Sequence, residues 1–289
     1  MKISPTTASL VTLAILLCNS ASADTFSFNS GNPDNRMATA SRPVSSGKGA
    51  IESADDFLLS ETTTLDHATF TGLIDPGATV TGINVEIYQF FPLDSTIPET
   101  GRVPTRTNSP SDAALVSRES GAAQLSFTTT LLSDNFTALN SVLNGINPQP
   151  NQLTFGEGPI SGQEVQFDVA LNLGILLPAG HYFFVPQVAV DGGDFFWLSA
   201  ATPVGGLFPS DSEIWIRDET IAPDWLRVGT DIAAHDPFNA SFSVSGTTSP
   251  ISAVPEAGSF GIFGIFTLVV AGLLRKGGRR SQQGTVDRV

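Results

Sequence analysis

The segment Gln163–Asn172 (QEVQFDVALN) decides the fold class of this chain. Its apolar residues alternate with polar ones, with Val165, Phe167, Val169 and Leu171 at every second position. A period of two is typical of a strand with one buried face, because successive side chains of a strand point to opposite sides. The segment is therefore predicted to be a β-strand that buries these four residues.

Similar short patterns recur on both sides of this segment. Turn signals separate them, among them Asp75-Pro76-Gly77, Pro178-Ala179-Gly180 and Asp191-Gly192-Gly193. Further strands are predicted at Asn84–Phe90, Gln124–Thr128, His181–Val190, Glu213–Arg217 and Ala240–Gly246. Short strands joined by Gly- and Pro-containing turns favour an all-β fold, an antiparallel β-sandwich of the jelly-roll kind.

Two stretches depart from the strand pattern. Ser133–Asn144 (SDNFTALNSVLN) opens with Ser and Asp, which are typical helix N-caps, and its apolar spacing predicts one short helix. The stretch Phe91–Ser120 is rich in Pro, Ser and Thr and has little periodicity. It is predicted to be a long surface loop.

The N-terminal residues have the parts of a secretory signal peptide. Lys2 precedes the apolar run Leu10–Leu17, and Ala21-Ser22-Ala23 supplies the small residues that a signal peptidase reads. Cleavage is predicted between Ala23 and Asp24, so residues 1–23 and the single cysteine, Cys18, leave the mature protein. The alternative is a retained anchor, for which this run is short against the about 20 residues of a spanning helix.

The C-terminal region contains a second apolar run, Gly258–Leu274, which carries no charge. A stretch of this length is near the lower limit for a transmembrane helix. Arg275, Lys276, Arg279 and Arg280 follow it directly. Basic residues on this flank keep it in the cytoplasm and place the preceding domain, residues 24–245 with a linker at 246–253, outside. The alternative is a buried core helix.

The tetrapeptide Val254-Pro255-Glu256-Ala257 stands just before the apolar run. Residues 254–280 contain, in order, a triplet similar to Pro-Glu-Pro, an apolar helix and an arginine-rich end. This order resembles the PEP-CTERM sorting signal of Gram-negative bacteria. The resemblance implies an exosortase as partner, a transient anchor in the inner membrane and transfer to the cell surface or extracellular matrix. Ala257 replaces the second proline and a polar tail, residues 281–289, continues past the arginines, so an uncleaved inner-membrane anchor is the alternative.

The region between the ends also carries a resemblance. It contains, in order, Asp55-Asp56-Phe57, Thr69-Phe70-Thr71-Gly72, His181-Tyr182-Phe183-Phe184-Val185-Pro186, Phe196-Trp197-Leu198-Ser199, Trp215-Ile216-Arg217-Asp218, Pro223-Asp224-Trp225-Leu226-Arg227 and Phe238-Asn239-Ala240-Ser241-Phe242. This order resembles uncharacterised ectodomains of PEP-CTERM proteins. It implies no known activity.

The charge of the middle region excludes nucleic acid as a partner. Six of the 14 basic residues and two of the 28 acidic residues lie outside 24–255, which leaves 8 basic and 26 acidic side chains and a net charge of -18. Binding to a phosphate backbone requires Lys and Arg to displace counterions, and this surface would repel it.

The usual motifs of catalysis are missing from the sequence. There is no Gly-x-Ser-x-Gly pentapeptide, His-Glu-x-x-His, phosphate-binding loop or dinucleotide fingerprint. His67, His181 and His235 are the only histidines and are interpreted as ordinary surface or strand-end residues. No catalytic residue is predicted, and a secreted hydrolase built from a histidine, a serine and an acid is kept as an alternative.

Two kinds of binding residue are considered. Asp191 and Asp194 flank two glycines, and turn carboxylates together with backbone carbonyls can ligate calcium, so they are a candidate calcium site beside the simpler interpretation of a hairpin turn. Asp55, Asp56 and Asp211 are the other acidic candidates. No other cofactor is predicted.

The three tryptophans are candidates for stacking on a sugar ring. Trp197 and Trp215 lie in strand-like runs and are interpreted as core. Trp225 follows Pro223-Asp224 and is predicted to be the exposed one. The first hypothesis is thus a noncatalytic exported surface or matrix protein. The alternative is a carbohydrate-binding module for an extracellular polysaccharide, with or without calcium.

Overall fold

The structure is a computed structural model that describes residues 24–45, 47–92, 106–146, 152–201, 213–221 and 225–249. These residues form β-strands and one π-helical turn, Val228–Ala233, so the predicted all-β class is confirmed. Within these ranges no helix is long and apolar enough to cross a membrane. The predicted signal peptide, the sorting signal and the transmembrane helix at 258–274 lie outside the described residues.

The first of two sheets, sheet A, contains nine strands of the described chain. They are β1 (Thr25–Asn29), β2 (Pro33–Ala40), β4 (Thr63–Ile74), β8 (Ser126–Ala138), β9 (Ser141–Val142), β10 (Ile160–Leu177), β12 (Phe195–Ala200), β15 (Asn239–Ala240) and β16 (Phe242–Thr248). β10 pairs along one edge of β4 and also pairs with β8. The other edge of β4 is shared by β16, which leads to β1, and by β12, which leads to β2 and β9.

The second sheet, sheet B, contains seven strands of the described chain. They are β3 (Ile51–Leu59), β5 (Thr79–Phe91), β6 (Ser109–Pro110), β7 (Val116–Glu119), β11 (Gly180–Asp191), β13 (Trp215–Asp218) and β14 (Leu226–Arg227). Their order is β14-β13-β3-β11-β5, and both β6 and β7 pair with β5. All described pairs in both sheets are antiparallel except that of β2 with β9.

The chain passes back and forth between the two sheets. β3 lies in sheet B, β4 in sheet A and β5 in sheet B, and the same alternation recurs in β10, β11 and β12. The turn from β4 to β5 is the predicted Asp75-Pro76-Gly77, in which the N–H of Ala78 donates to the carbonyl of Asp75 at 3.0 Å. Gly77 has a φ of +85°, the left-handed conformation that glycine adopts without strain.

Aromatic side chains from both sheets meet in the core. Phe184 of β11 stacks on Phe242 of β16 with ring centroids 5.3 Å apart, and its centroid is 6.0 Å from that of Trp197 on β12. In sheet A, Phe70 stacks on Phe167 at 4.8 Å. Rings in such contact contribute about 0.5–1.5 kcal/mol per pair beyond the area they bury. Aromatic residues of both sheets therefore pack together in the core.

The strand that decided the fold class is confirmed. Val165, Phe167, Val169 and Leu171 are buried in β10, and the residues between them are exposed or half-buried. The register with β4 shifts between Ala170 and Ile175, where extra residues of β10 bulge out. The predicted alternation therefore describes the strand up to this bulge.

The predicted helix at Ser133–Asn144 is wrong. The segment contributes the end of β8 and the whole of β9, and Phe136 to Ala138 pair with Ile160 to Gly162 of β10. This pairing satisfies the backbone groups that a helix would have satisfied internally. A shift of register between Ser133 and Leu131 breaks the period of two, so the segment does not show the pattern of a strand.

The prediction of one long loop over Phe91–Ser120 is also partly wrong. β7 and the two-residue β6 lie within it and extend sheet B along β5. Both are short, and β7 (VSRE) is polar, as is common for strands at the edge of a sheet. Residues 93–105 lie outside the described residues.

Candidate functional site

An open cleft of about 440 Å³ lies beside β2 and the segment that precedes β10. Its volume is in the range of small-molecule sites, roughly 300–1,000 Å³. The described residues that line it are Arg36, Met37, Leu139, Asn140, Phe155, Gly158, His235 and Phe238. The buried Met37 and Phe238 give it an apolar floor, and polar and aromatic side chains stand at its rim.

Phe155 is an exposed aromatic side chain at this rim. It is 61% exposed, and its φ of +64° lies in the left-handed region. This conformation is costly for a bulky residue and persists only where its surroundings hold it. Here the N–H of Phe155 donates to the carbonyl of Ile232 at 2.9 Å, and its carbonyl accepts from Nδ2 of Asn140 at 2.8 Å. The fold therefore holds an aromatic ring out to solvent at the expense of local strain.

The loop that carries Phe155 is fixed by a carboxylate. Glu157 accepts from three consecutive backbone N–H groups, those of Leu143 at 2.8 Å, Asn144 at 2.7 Å and Gly145 at 2.7 Å. Hydrogen bonds to an ionised acceptor are stronger than those between neutral groups. Asn140 adds a further tie, since its Oδ1 accepts from the N–H of Gly158 at 2.9 Å. The rim of the cleft is thus positioned before any ligand arrives.

Arg36 lines the cleft with an exposed side chain. The other basic side chains of the described ranges are occupied: Arg42 and Lys48 pair with Asp194, Arg106 and Arg227 with Asp231, Arg217 with Glu52, and Arg118 donates to the carbonyls of Ser117 and Gly174. Within the same ranges the guanidinium of Arg36 forms no ion pair and no hydrogen bond. Its charge is available to a ligand.

The prediction that Trp225 is exposed is wrong. Its side chain is fully buried, the guanidinium carbon of Arg217 lies 4.5 Å from its ring centroid, and its indole nitrogen donates to the carbonyl of Ser111 at 3.2 Å. A preceding proline favours a turn but does not determine on which side the next ring is buried. Trp197 and Trp215 are buried, as their interpretation as core predicts. No tryptophan is available for stacking on a sugar.

Trp225 covers a buried network of charges in sheet B. Arg217 Nε pairs with Glu52, and its Nη2 donates to the hydroxyl of Tyr88 at 2.9 Å. That hydroxyl lies 3.1 Å from Glu52 Oε1 and 3.0 Å from Glu86 Oε2. Burial and then the nearby charge of Glu52 raise the pKa of Glu86 from 4.5 to about 7.

The candidate calcium residues are otherwise engaged. Asp194 Oδ1 accepts from Arg42 Nη1 at 2.9 Å and from Lys48 Nζ at 2.8 Å, so a cation here would first have to displace two others. Asp191 ends β11 and is exposed, next to Gly192 with a φ of +88°. In the described ranges no three acidic, histidine or cysteine side chains are grouped as metal ligands would be. Asp211 lies outside them.

Asp55 and Asp56 have separate structural roles. Asp55 is fully buried in β3, and its Oδ2 accepts from the N–H of Ala240 at 2.7 Å, which links sheet B to sheet A. Burial and then the charge of Asp56 raise the pKa of Asp55 well above its ordinary value. Asp56 Oδ2 lies 2.5 Å from Nε2 of His181.

The three histidines have different surroundings. His181 opens β11, as predicted, and stacks on Phe90 with centroids 3.9 Å apart. His67 lies in β4, and its Nε2 is 3.5 Å from Asp168 Oδ2. His235 lines the cleft. In the part of the chain that the structure describes, none of these rings is hydrogen-bonded to a serine hydroxyl, which the hydrolase alternative would require.

Phe155 and Arg36 were not among the residues singled out from the sequence. Both stand outside any periodic pattern, and the exposure of Phe155 depends on partners far along the chain. The local signal is an aromatic residue directly before Gly156-Glu157-Gly158, where glycines interrupt a loop. Comparisons with protein families, with curated proteins and with solved structures found no match to this chain.

Proposed function

We propose that this chain is an exported, noncatalytic surface or matrix protein whose β domain binds a saccharide in the cleft beside Phe155. The observation that carries the proposal is the exposed ring of Phe155, held by a strained backbone at the rim of a preformed cleft. Backbone strain of this kind clusters at binding sites, where the surrounding structure is built to maintain it.

The lining fits a sugar ring. A pyranose presents a face of C–H groups that packs on a flat aromatic ring, and its hydroxyls need donors and acceptors around the edge. Phe155 supplies the ring, while Arg36, Asn140 and His235 supply polar groups. Most ligand sites combine an apolar lining with a few polar groups that orient the ligand, as this cleft does.

The proposed export rests on the two ends of the sequence. The signal-peptide pattern up to Ala23 and the resemblance of residues 254–280 to a PEP-CTERM sorting signal support an exosortase as partner. The chain would be held in the inner membrane through residues 258–274 and then transferred to the surface or the extracellular matrix. The strongly acidic middle region suits an extracellular setting that demands solubility.

We further propose that the two sheets form a jelly-roll sandwich. The support is the order β2-β12-β4-β10 in sheet A and β3-β11-β5 in sheet B, with the chain alternating between sheets. Jelly rolls are common among lectin domains, although a fold by itself does not assign a ligand.

A glycan array with the full chain, purified in detergent, tests the binding function. Wild-type protein should bind a defined set of saccharides, and Phe155→Ala should reduce binding at least about tenfold, a loss of about 1.4 kcal/mol. Leu173→Ala is the matched control, because Leu173 is 67% exposed and does not line the cleft. A wild-type protein that binds no saccharide, or a Phe155→Ala variant that binds as well as wild type, would show that the proposal is wrong.

A further inference from the structure

We infer that the cleft selects acidic saccharides, with the carboxylate of a hexuronate on Arg36 and the ring face of the sugar on Phe155. The inference rests on the proposed saccharide-binding function and adds the chemical class of the ligand.

The first argument is the contrast between the cleft and the rest of the domain. With 8 basic and 26 acidic side chains in residues 24–255, the surface as a whole repels anions. Except for Arg36, the basic side chains of the described ranges are paired with carboxylates or hydrogen-bonded to carbonyls. A guanidinium without an ion-pair partner would attract an anionic ligand to this part of an otherwise acidic surface.

The second argument is the composition of the lining. Arg36 and His235 are its ionisable members, and none of the described residues that line the cleft is an aspartate or glutamate. The nearest carboxylates along the chain are Asp34, Glu157 and Asp236. Asp34 accepts from the Ser199 hydroxyl at 2.6 Å and from the N–H of Arg36 at 3.1 Å, and Glu157 is held by three backbone N–H groups. Asp236 follows His235 and is exposed to solvent, which screens its charge.

The third argument is the geometry of the group itself. A guanidinium presents parallel N–H donors that match the two oxygens of a carboxylate, which a neutral sugar lacks. Hydrogen bonds to charged groups are stronger than those between neutral groups, so an acidic sugar should bind roughly tenfold or more tightly than its neutral counterpart. Asn140 and the ring of Phe155 serve both sugars equally.

Titration calorimetry with the full chain in detergent tests this selectivity. The ligands are a trigalacturonate and its methyl ester, which keeps the rings and removes the negative charges. Wild-type protein should bind the acid at least about tenfold more tightly than the ester, and added salt should narrow the gap. The Arg36→Gln variant should bind the acid and the ester with equal affinity. The Arg36→Lys variant should recover part of the preference for the acid. Lys48→Gln, which removes one positive charge outside the cleft, should behave as wild type.

The outcomes separate the two proposals. Equal affinity of the wild type for acid and ester, with both lost in Phe155→Ala, overturns the acidic selectivity and leaves the saccharide function standing. Weak or absent binding of both ligands and of every neutral saccharide overturns the saccharide function itself. Tighter binding of glucose 1-phosphate than of the galacturonate overturns the assignment to a carboxylate.

Discussion

At the scale of single residues, folding changes the pKa of Glu86 enough to make stability depend on pH. Its carboxyl group shares the hydroxyl of Tyr88 with Glu52, and burial together with the Glu52 charge raises its pKa to about 7. In the unfolded chain the same carboxyl has its ordinary pKa of 4.5. Between these two values the folded state holds a proton that the unfolded state has lost, so stability falls as the pH rises.

The Glu86→Gln substitution should abolish the fall in stability that accompanies rising pH. At pH 4 the variant and the wild type should be about equally stable, because a protonated carboxyl and an amide are both neutral. Above pH 7.5 the variant should be more stable by about 2 kcal/mol, since Glu86 must then carry a charge beside Glu52. Urea unfolding across this pH range measures the difference. Glu61→Gln, a change at an exposed carboxyl, is the control, and an equal pH profile for Glu86→Gln and wild type would contradict the prediction.

The aromatic residues show how far single positions can be inferred from the sequence. Trp197 and Trp215 lie in strand-like runs, and their burial follows from the pattern. Trp225 and Phe155 lie outside the strands, where exposure is decided by contacts with distant segments, the carbonyl of Ser111 for the first and that of Ile232 for the second. Neither partner is close enough in sequence to be recognised, so the cleft could not be predicted.

At the scale of elements, the contact of β4 with β16 depends on a glycine. Gly246 pairs with Leu65 at a shift of register, where the two backbones approach closely. A Cβ at this position would lie 2.0 Å from the carbonyl oxygen of Thr64 and 2.8 Å from the Cα of Leu65. Both neighbours are backbone atoms, which cannot turn aside as the end of a side chain can.

Gly246→Ala should therefore destabilise the domain by about 3 kcal/mol, because the strands must separate locally to admit the methyl group. Thermal or urea unfolding measures the loss. Gly121→Ala is the matched control: its added Cβ meets nothing within 4 Å, and it should change stability by less than about 0.5 kcal/mol. An alanine at 246 that is tolerated as well as one at 121 would show that the close approach is not what limits this position.

The strands that could be predicted from the sequence are those with a buried face. β10 and β11 alternate or run apolar because a face of each lies in the core, and both were identified. β8 is exposed along nearly its whole length and pairs with β10 alone among the described strands. The predicted strand at Gln124–Thr128 covers only its first residues. Beyond them the side chains of β8 carry no burial signal, and its backbone hydrogen bonds leave no trace in the sequence.

At the scale of the whole molecule, the charges are divided between the middle region and the C-terminal end. The middle is strongly acidic, whereas Arg275, Lys276, Arg279 and Arg280 follow the apolar run. This division suits a chain whose domain lies outside a membrane and whose last residues begin in the cytoplasm.

Replacing Pro255 and Glu256 by alanine should trap the protein in the inner membrane of a host that has an exosortase. Insertion should persist, because the apolar run and its basic flank drive it, but the sorting signal would be lost. Fractionation with an antibody to the domain and an epitope after Val289 measures both effects. Wild-type protein should lose the epitope and reach the surface. If it keeps the epitope and stays with the inner membrane, a permanent anchor replaces the sorting proposal.

The first and last strands of the domain lie side by side, since Thr25 of β1 pairs with Thr247 of β16 and the N–H of Thr248 donates to the carbonyl of Asp24 at 2.8 Å. A few glycines and serines between Ser249 and Asp24 would close the chain into a ring, which could be reopened at the turn near Gly121. Circular permutation of this kind succeeds where the ends meet at the surface. The domain could then be tethered by a different side without losing a strand.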